Sequence, residues 1–466
     1  MIHTETVITI AVYLLAMLGI GIYSAKGTTN LDEYLLGGRR LGPFVTALSA
    51  GASDMSAWLL LALPGAFFVS GFQNLWMVIG LFAGTFVNWY FVGPRLRLVT
   101  ESVGATTLPA LFESRFGKGK KGLLSLLSAI VIFFYFSVYV SSGLMGSALL
   151  FENVLHIPYG YALFVGSAVV LAYTILGGFI AVCLTDVVQG LMMVSCLLFL
   201  PLFVLLSSQD FASPARGTVL PLSNTRDLDF LGIVSLVSWG LGYFGQPHIL
   251  VRFIAIKSPE EFPKARIYGL SWVFLGFLGA ALVGTSGTIV YRGGLDNPER
   301  VFIYLVSDFV HPVLSGVFLA AILAAVMSTV DSQLLVASSA VVEDISKRFF
   351  NKGGLFLGRL ASLVIMVSAF ILAYTQNETI LSVVKYAWGG LGGSFGPLVL
   401  FSLFGNRPSY AGAVLALVVS FTISIVWDAS PLGRHLYGIV PSFFAGCAIL
   451  SVSLVRRKAH EVPQQQ

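Results

Sequence analysis

Apolar residues gather along this chain into runs that recur from near the N-terminus to Ser453, parted by short polar punctuation. Each run holds about 20 residues or more, the length a helix needs to cross a hydrocarbon core of roughly 30 Å. The runs predict spans near residues 5–25, 43–69, 74–95, 122–150, 158–177, 180–207, 228–255, 268–291, 311–342, 355–375, 379–404, 409–427 and 436–455. The expected fold is an all-α membrane protein of about 13 transmembrane helices. Residues 1–457 would form one polytopic domain and 458–466 a short polar tail.

Two of these spans are interrupted. The second carries Leu48-Ser49-Ala50-Gly51-Ala52-Ser53-Asp54-Met55-Ser56, and the seventh carries Gly240-Leu241-Gly242-Tyr243-Phe244-Gly245-Gln246-Pro247. They lie five spans apart, which predicts two inverted five-helix repeats, about 43–207 and 228–404, each opening with a discontinuous helix. One helix, 5–25, precedes the repeats and two, about 409–455, follow them. Irregular backbone survives at membrane depth only where protein or a water-filled cavity satisfies it, so the breaks mark where a pathway would run. The glycines also suit plain close packing of helices.

Composition agrees with the pattern: 56% of the 466 residues are hydrophobic and 11% charged, a balance foreign to water-soluble domains. The net charge of +5 is spread over short loops, so it makes no nucleic-acid face and instead reports topology. Alternate loops hold Lys26, Arg39 and Arg40; Arg95, Arg97, Arg115, Lys118, Lys120 and Lys121; Arg252, Lys257, Lys264 and Arg266; Lys347, Arg348, Lys352 and Arg359; then Arg407 and the tail. The remaining loops hold Arg216, Arg226, Arg292, Arg300 and Arg434. The positive-inside rule then puts the N-terminus outside and the C-terminus in the cytoplasm. Cys183, Cys196 and Cys447 all lie in apolar runs, with no disulfide framework or metal spacing. The six histidines form no metal pair, and Gly117–Gly122 lacks the Ser or Thr of a phosphate-binding loop, so no enzyme is expected.

The stretches Gly42–Ser56, Trp239–His248 and Ala321–Thr329, with Leu36-Gly37-Gly38-Arg39 and Thr185–Gln189, resemble the bacterial sodium/proline symporters of the sodium:solute symporter family. The likeness runs over nearly the whole chain. It implies a LeuT-like fold, location in a bacterial cytoplasmic (inner) membrane, and uptake of L-proline coupled to inward sodium flow. Sodium would be the coupling ion, with no organic cofactor, no nucleic acid and no obligate protein partner; the lipid bilayer is the surrounding partner. The same machine could carry another amino acid, pantothenate, a sugar or an organic acid.

Sodium is a hard cation, and freed backbone carbonyls of broken helices supply oxygen ligands. The resemblance implies that the carbonyls of Ala52, Met55 and Ala325 and the hydroxyls of Ser328 and Thr329 hold it. Hydroxyls in an apolar helix otherwise back-bond to the preceding turn. Asp54, Asp186 and Asp331 are acids inside spans, each costing roughly 2.5–3.5 kcal/mol at the bilayer centre, which marks them for ion coupling. Asp54 could also cap the half-helix beyond its break, and Asp186 could serve a local salt bridge.

Proline needs apolar walls for its ring and dipoles at its two charged ends. Trp58, Tyr139, Trp239, Tyr243 and Pro247 stand around the breaks, with Ser56 as a polar contact, and aromatic faces suit both ring and ammonium. In the resembling family the matching positions are associated with substrate binding or gating. Ala57 stands where those symporters carry Gly, a methyl expected to bear on substrate preference.

Overall fold

The computed structural model describes residues 4–25, 36–117, 122–174, 178–207, 228–346, 355–375, 377–404 and 407–454. The predicted tail at 458–466 lies outside them. Among the described residues the chain is helical, with two isolated β-bridges, Leu41 with Ile256 and Pro408 with Leu454. The first part comprises α1 (Thr4–Ala25), α2 (Pro43–Asp54), α3 (Leu63–Ser70), α4 (Leu75–Val87), α5 (Gly93–Ser102) and α6 (Leu108–Phe116). Then come α7 (Leu123–Leu155), α8 (Tyr159–Thr174), α9 (Phe179–Ser207), α10 (Phe230–Val237), α11 (Pro247–Ala255) and α12 (Phe262–Val290). The chain closes with α13 (Val301–Phe309), α14 (Pro312–Ser339), α15 (Leu355–Thr375), α16 (Ile380–Leu403), α17 (Tyr410–Ala429) and α18 (Ile439–Val452).

Seven helical stretches among the described residues are long and apolar enough to cross a membrane, and α14 lies in the most buried of them. The protein is a multi-pass membrane protein. Of the two interrupted spans, the half of the first beyond its break is continuous with the long Trp58–Ser102 stretch, whereas Phe230–Gly245 of the second is too short to belong to that group. Helix α16 is diluted instead by Gly389, Gly390, Gly392, Gly393 and Gly396.

Helix α2 starts cleanly: Gly42 is extended and Pro43 sits in the first turn, where its missing N–H costs nothing. The polar stretch beginning at Leu48 stays helical through Asp54, so the break is narrower than the sequence suggests. Met55 still donates to Gly51 O at 3.0 Å, then turns away at φ −98°, ψ 84°. A π-turn over Trp58–Ala62 restarts the helix and leads into α3. The second break is longer. Helix α10 tightens into a 3₁₀ turn over Ser238–Gly245, Gln246 is extended, and Pro247 opens α11.

Glycines let backbone meet backbone around that second break. A Cβ on Gly84 of α4 would lie 2.2 Å from Gly240 O, and one on Gly245 would lie 2.5 Å from Leu391 O of α16. On the face where the basic loops gather, Leu41 N donates to Ala255 O at 3.2 Å and Lys257 N to Leu41 O at 2.9 Å, tying the start of α2 to the end of α11. On the opposite face, Glu299 caps α16, accepting from Ile380 N at 2.9 Å and Leu381 N at 3.0 Å. Burial pushes the Glu299 carboxyl above its ordinary range, and those two amides pull it back in part. Its neighbour Arg300 pairs with Glu152 of α7.

Candidate ion and solute site

The break at Met55 frees carbonyls that a continuous helix would have used internally. Ala52 O faces α14, where Ser328 Oγ lies 2.9 Å away and Thr329 Oγ1 3.5 Å away. Ser328 Oγ is also 3.1 Å from Ala325 O, so the back-bond and the cross-helix contact coexist. Ala52, Met55, Ala325 and Ser328 are wholly buried and Thr329 nearly so. Carbonyl and hydroxyl oxygens from two helices therefore converge in a dry interior, the donor set a small hard cation prefers.

Asp54 O, the other freed carbonyl, receives the indole N–H of Trp58 at 3.3 Å and the hydroxyl of Tyr139 at 3.4 Å. The Asp54 carboxylate turns the other way, accepting from Tyr243 O–H at 2.6 Å while its Oδ1 has no hydrogen-bond partner among the described residues. Asp54 thus bridges the two breaks rather than capping the restarted helix; Trp58 N points instead at Ser56 Oγ, 3.5 Å away. Beside the carboxylate lies a small cavity lined also by Thr85, Asn88, Trp89 and Tyr243.

Of the predicted solute residues, the structure gathers Trp58, Tyr139 and Tyr243 on Asp54. Trp239 sits apart, its carbonyl accepting from Trp388 Nε1 at 2.8 Å and its ring tilted 5.5 Å from Tyr437. Pro247 faces a different small cavity with Thr107, Leu108 and Ile132. Ala57 is buried with its methyl against Gly146, where a Cβ on that glycine would come within 2.5 Å. The added methyl is therefore absorbed by α7.

Asp186 joins a different cluster. Ser49 Oγ donates to its Oδ2 at 2.6 Å, Ser53 Oγ lies 3.2 Å from it, and Arg252 pairs with it at 3.2 Å. Arg252, a basic loop residue by sequence position, is instead fully buried in α11. Asp331, three residues beyond Ser328, is buried on α14.

Several polar residues of this centre were not anticipated. Asn88 Nδ2 donates to Tyr243 O at 3.2 Å, and Gln246 Nε2 to Trp388 O at 3.1 Å. Neither ring nitrogen of His248 has a hydrogen-bond partner among the described residues, and the ring meets Tyr139 edge-on at 5.8 Å. Gln246 and His248 stand inside the second broken motif, which was the available signal. Trp388 had none beyond the glycines that follow it.

Comparison with known proteins places the chain. The sodium:solute symporter family profile matches residues 34–420. The high-affinity proline transporter PutP of Bacillus subtilis (strain 168) is 46% identical over 452 residues, 94% of this chain and 95% of that protein. The sodium/proline symporter of Staphylococcus aureus (strain JH9) is 42% identical over 471 residues, 96% of this chain and 92% of the relative. Among solved structures, the substrate-bound, outward-open state of a Na+-coupled sialic acid symporter matches with a TM-score of 0.81. It is 19% identical and covers 97% of this chain and 98% of its own. Mhp1, a nucleobase-cation-symport-1 family transporter in a closed conformation with bromovinylhydantoin bound, matches at 0.57 with 16% identity, over 91% and 96% of the two chains. These two share the fold, a LeuT-type arrangement. The profile and the near-full-length relatives together show that this chain belongs to the sodium:solute symporter family, a family of membrane transporters and not of enzymes.

Proposed function

We propose that this protein couples inward sodium flow to the uptake of L-proline by alternating access. The observation that carries the reading is the identity of 42–46% with proline transporters over almost the whole chain, joined to the convergence of Ala52 O, Ser328 and Thr329 at the first break. In this reading the chain crosses the bilayer about 13 times, with inverted repeats at about 43–207 and 228–404 between one leading and two trailing helices. It sits in the bacterial inner membrane with its basic face in the cytoplasm.

Ala52, Met55, Ala325, Ser328 and Thr329 hold sodium. The ion replaces the hydroxyl-to-carbonyl contacts between α2 and α14 and fixes the two helices together. Asp54 relays that to the solute side, because its carbonyl meets Trp58 and Tyr139 while its carboxylate meets Tyr243. Ser56, Trp239 and Pro247 complete the solute path, and Asp186 and Asp331 line the ion's way to the cytoplasm. Coupling then rests on sodium and proline each binding one conformation better than the other. A membrane potential adds about 2.3 kcal/mol per 100 mV for each charge carried inward, enough to drive accumulation.

Uptake of labelled proline into proteoliposomes, with and without an inward sodium gradient, tests the proposal. Sodium-dependent uptake competed by proline analogues is expected. Sodium-driven transport indifferent to proline would favour the second reading, the same symport of another small solute.

A further inference from the structure

Beneath the converging oxygens of α2 and α14, on the side of the basic loops, lies a buried charge pair with its own helices. The side chains of Arg252 and Asp186 are both wholly excluded from solvent. The guanidinium is bound on every edge: Nε donates to Ser49 Oγ at 3.1 Å, Nη1 to His248 O at 2.7 Å, and Nη2 to both Asp186 Oδ2, at 3.2 Å, and Ser332 Oγ. The ring of Phe179 lies 5.4 Å from its carbon. Four helices, α2, α9, α11 and α14, therefore meet on one ion pair. Ser332 links the pair to the ion site, since its hydroxyl donates to Ser328 O at 2.7 Å and lies 2.9 Å from Ser53 Oγ.

We propose that the Arg252–Asp186 pair is a latch that closes the sodium pathway toward the basic face and opens once in each transport cycle. The inference rests on the sodium reading of Ala52 and Ser328. An ion pair of this kind holds while both charges stay together and dry, and removing one partner leaves an uncompensated buried charge. The closed packing is also what keeps Ala52 against Ser328. Sodium bound there favours the closed latch, and by reciprocity the closed latch favours sodium. A sodium ion leaving past Ser332 would meet the guanidinium, so the ion departs only when α11 carries Arg252 off Asp186. Arg252 acts on the ion through Ser332 and is a positioning residue, not a sodium ligand.

A native reporter stands beside the latch. Cys183, one turn before Asp186 on α9, is fully buried. With Cys196 and Cys447 replaced by alanine, its alkylation by N-ethylmaleimide is followed in membranes containing no sodium or solute. Arg252→Gln and Asp186→Asn should each raise the rate about tenfold, because the orphaned charge favours the open, wetted arrangement. Arg252→Lys, which keeps the charge but loses the planar fork, should raise it by a smaller factor. The double variant Arg252→Gln/Asp186→Asn should return to within about threefold of the parent, since no buried charge remains unpaired.

In transport, the sodium concentration for half-activation should rise in the same order, with the proline KM at saturating sodium changed less than about twofold, because only the closed fraction binds the ion well. The Lys variant is the guard against a chain that fails to fold. Native-rate alkylation in both Arg252 variants would overturn the latch, and so would a double variant as reactive as the singles or a sodium requirement that stays put. The alkylation arm contains no sodium or proline, so it fails only with the latch; a parent protein without sodium-activated uptake would instead sink the symport reading.

Discussion

The two helix breaks reach the same end by opposite means. The first is brief and polar: two residues, Met55 and Ser56, leave the helix, and the freed carbonyls of Ala52 and Asp54 find hydroxyl and indole donors on α14, α7 and the restarted helix itself. The second is long and apolar. Ser238–Gly245 winds as a 3₁₀ turn whose backbone is gripped by α4 and α16 through facing glycines. The first break therefore presents oxygens that a cargo can take over, and the second presents a tightly packed hinge whose side chains, above all Tyr243, lean across to the first. Chemistry concentrates on one side and geometry on the other.

Crowding the hinge should be the most damaging change. In Gly242→Ala the new methyl carbon would stand 1.9 Å from Trp388 Nε1 and force the indole off Trp239 O. Overpacking of this kind costs about 1–3 kcal/mol, and here it also displaces the segment that carries Tyr243. Transport is expected to fall about a hundredfold with a lowered melting temperature in detergent, read by uptake and by thermal unfolding. A variant with full activity would show that the hinge is loose.

Ser328→Ala and Thr329→Ala test the chemical side. Each removes one oxygen facing Ala52 O without enlarging any side chain. The sodium concentration for half-activation should rise about tenfold or more, at the scale of a hydrogen bond to a charged group, while the amount of inserted protein is unchanged. Unaltered sodium activation in both variants would remove the ion from this place. Tyr243→Phe breaks the link between the two breaks, leaving Asp54 Oδ2 without its 2.6 Å donor. Its cost of about 1.5–3 kcal/mol should appear in the proline KM as well as in sodium activation, because Asp54 touches both sides.

Much of this was legible in residue order, and the remainder was not for identifiable reasons. The long apolar runs announced the helices, since hydrophobic length is a local property. The breaks announced themselves through Asp54 and the Gly–Pro punctuation. The first break is shorter than residue order suggests, because Ser49, Ala50, Gly51 and Ser53 look like unwound backbone yet remain helical, the two serine hydroxyls turned to Asp186 instead. Arg252 was misplaced among loop cations because a charge one turn from a helix end reads as interfacial; only its partner 66 residues away reveals that it is buried. Trp388 and Asn88 escaped notice because their roles depend on which backbone segments pack beside them.

Ala57→Gly sharpens the comparison at its finest grain. The methyl lies on the polar side of the first break, yet it points to Gly146 of α7 and not to the cavity beside Asp54. Removing it leaves a small gap and frees backbone, together worth about 1 kcal/mol. The melting temperature should drop by a few degrees, as about 1 kcal/mol does in domains of ordinary size, while the ranking of proline against its analogues in competition assays stays the same. A changed ranking would mean that α7 transmits its packing at Gly146 to the solute pocket through Tyr139, one of α7's own residues, and the first break would then owe its selectivity to apolar fit as much as to its oxygens.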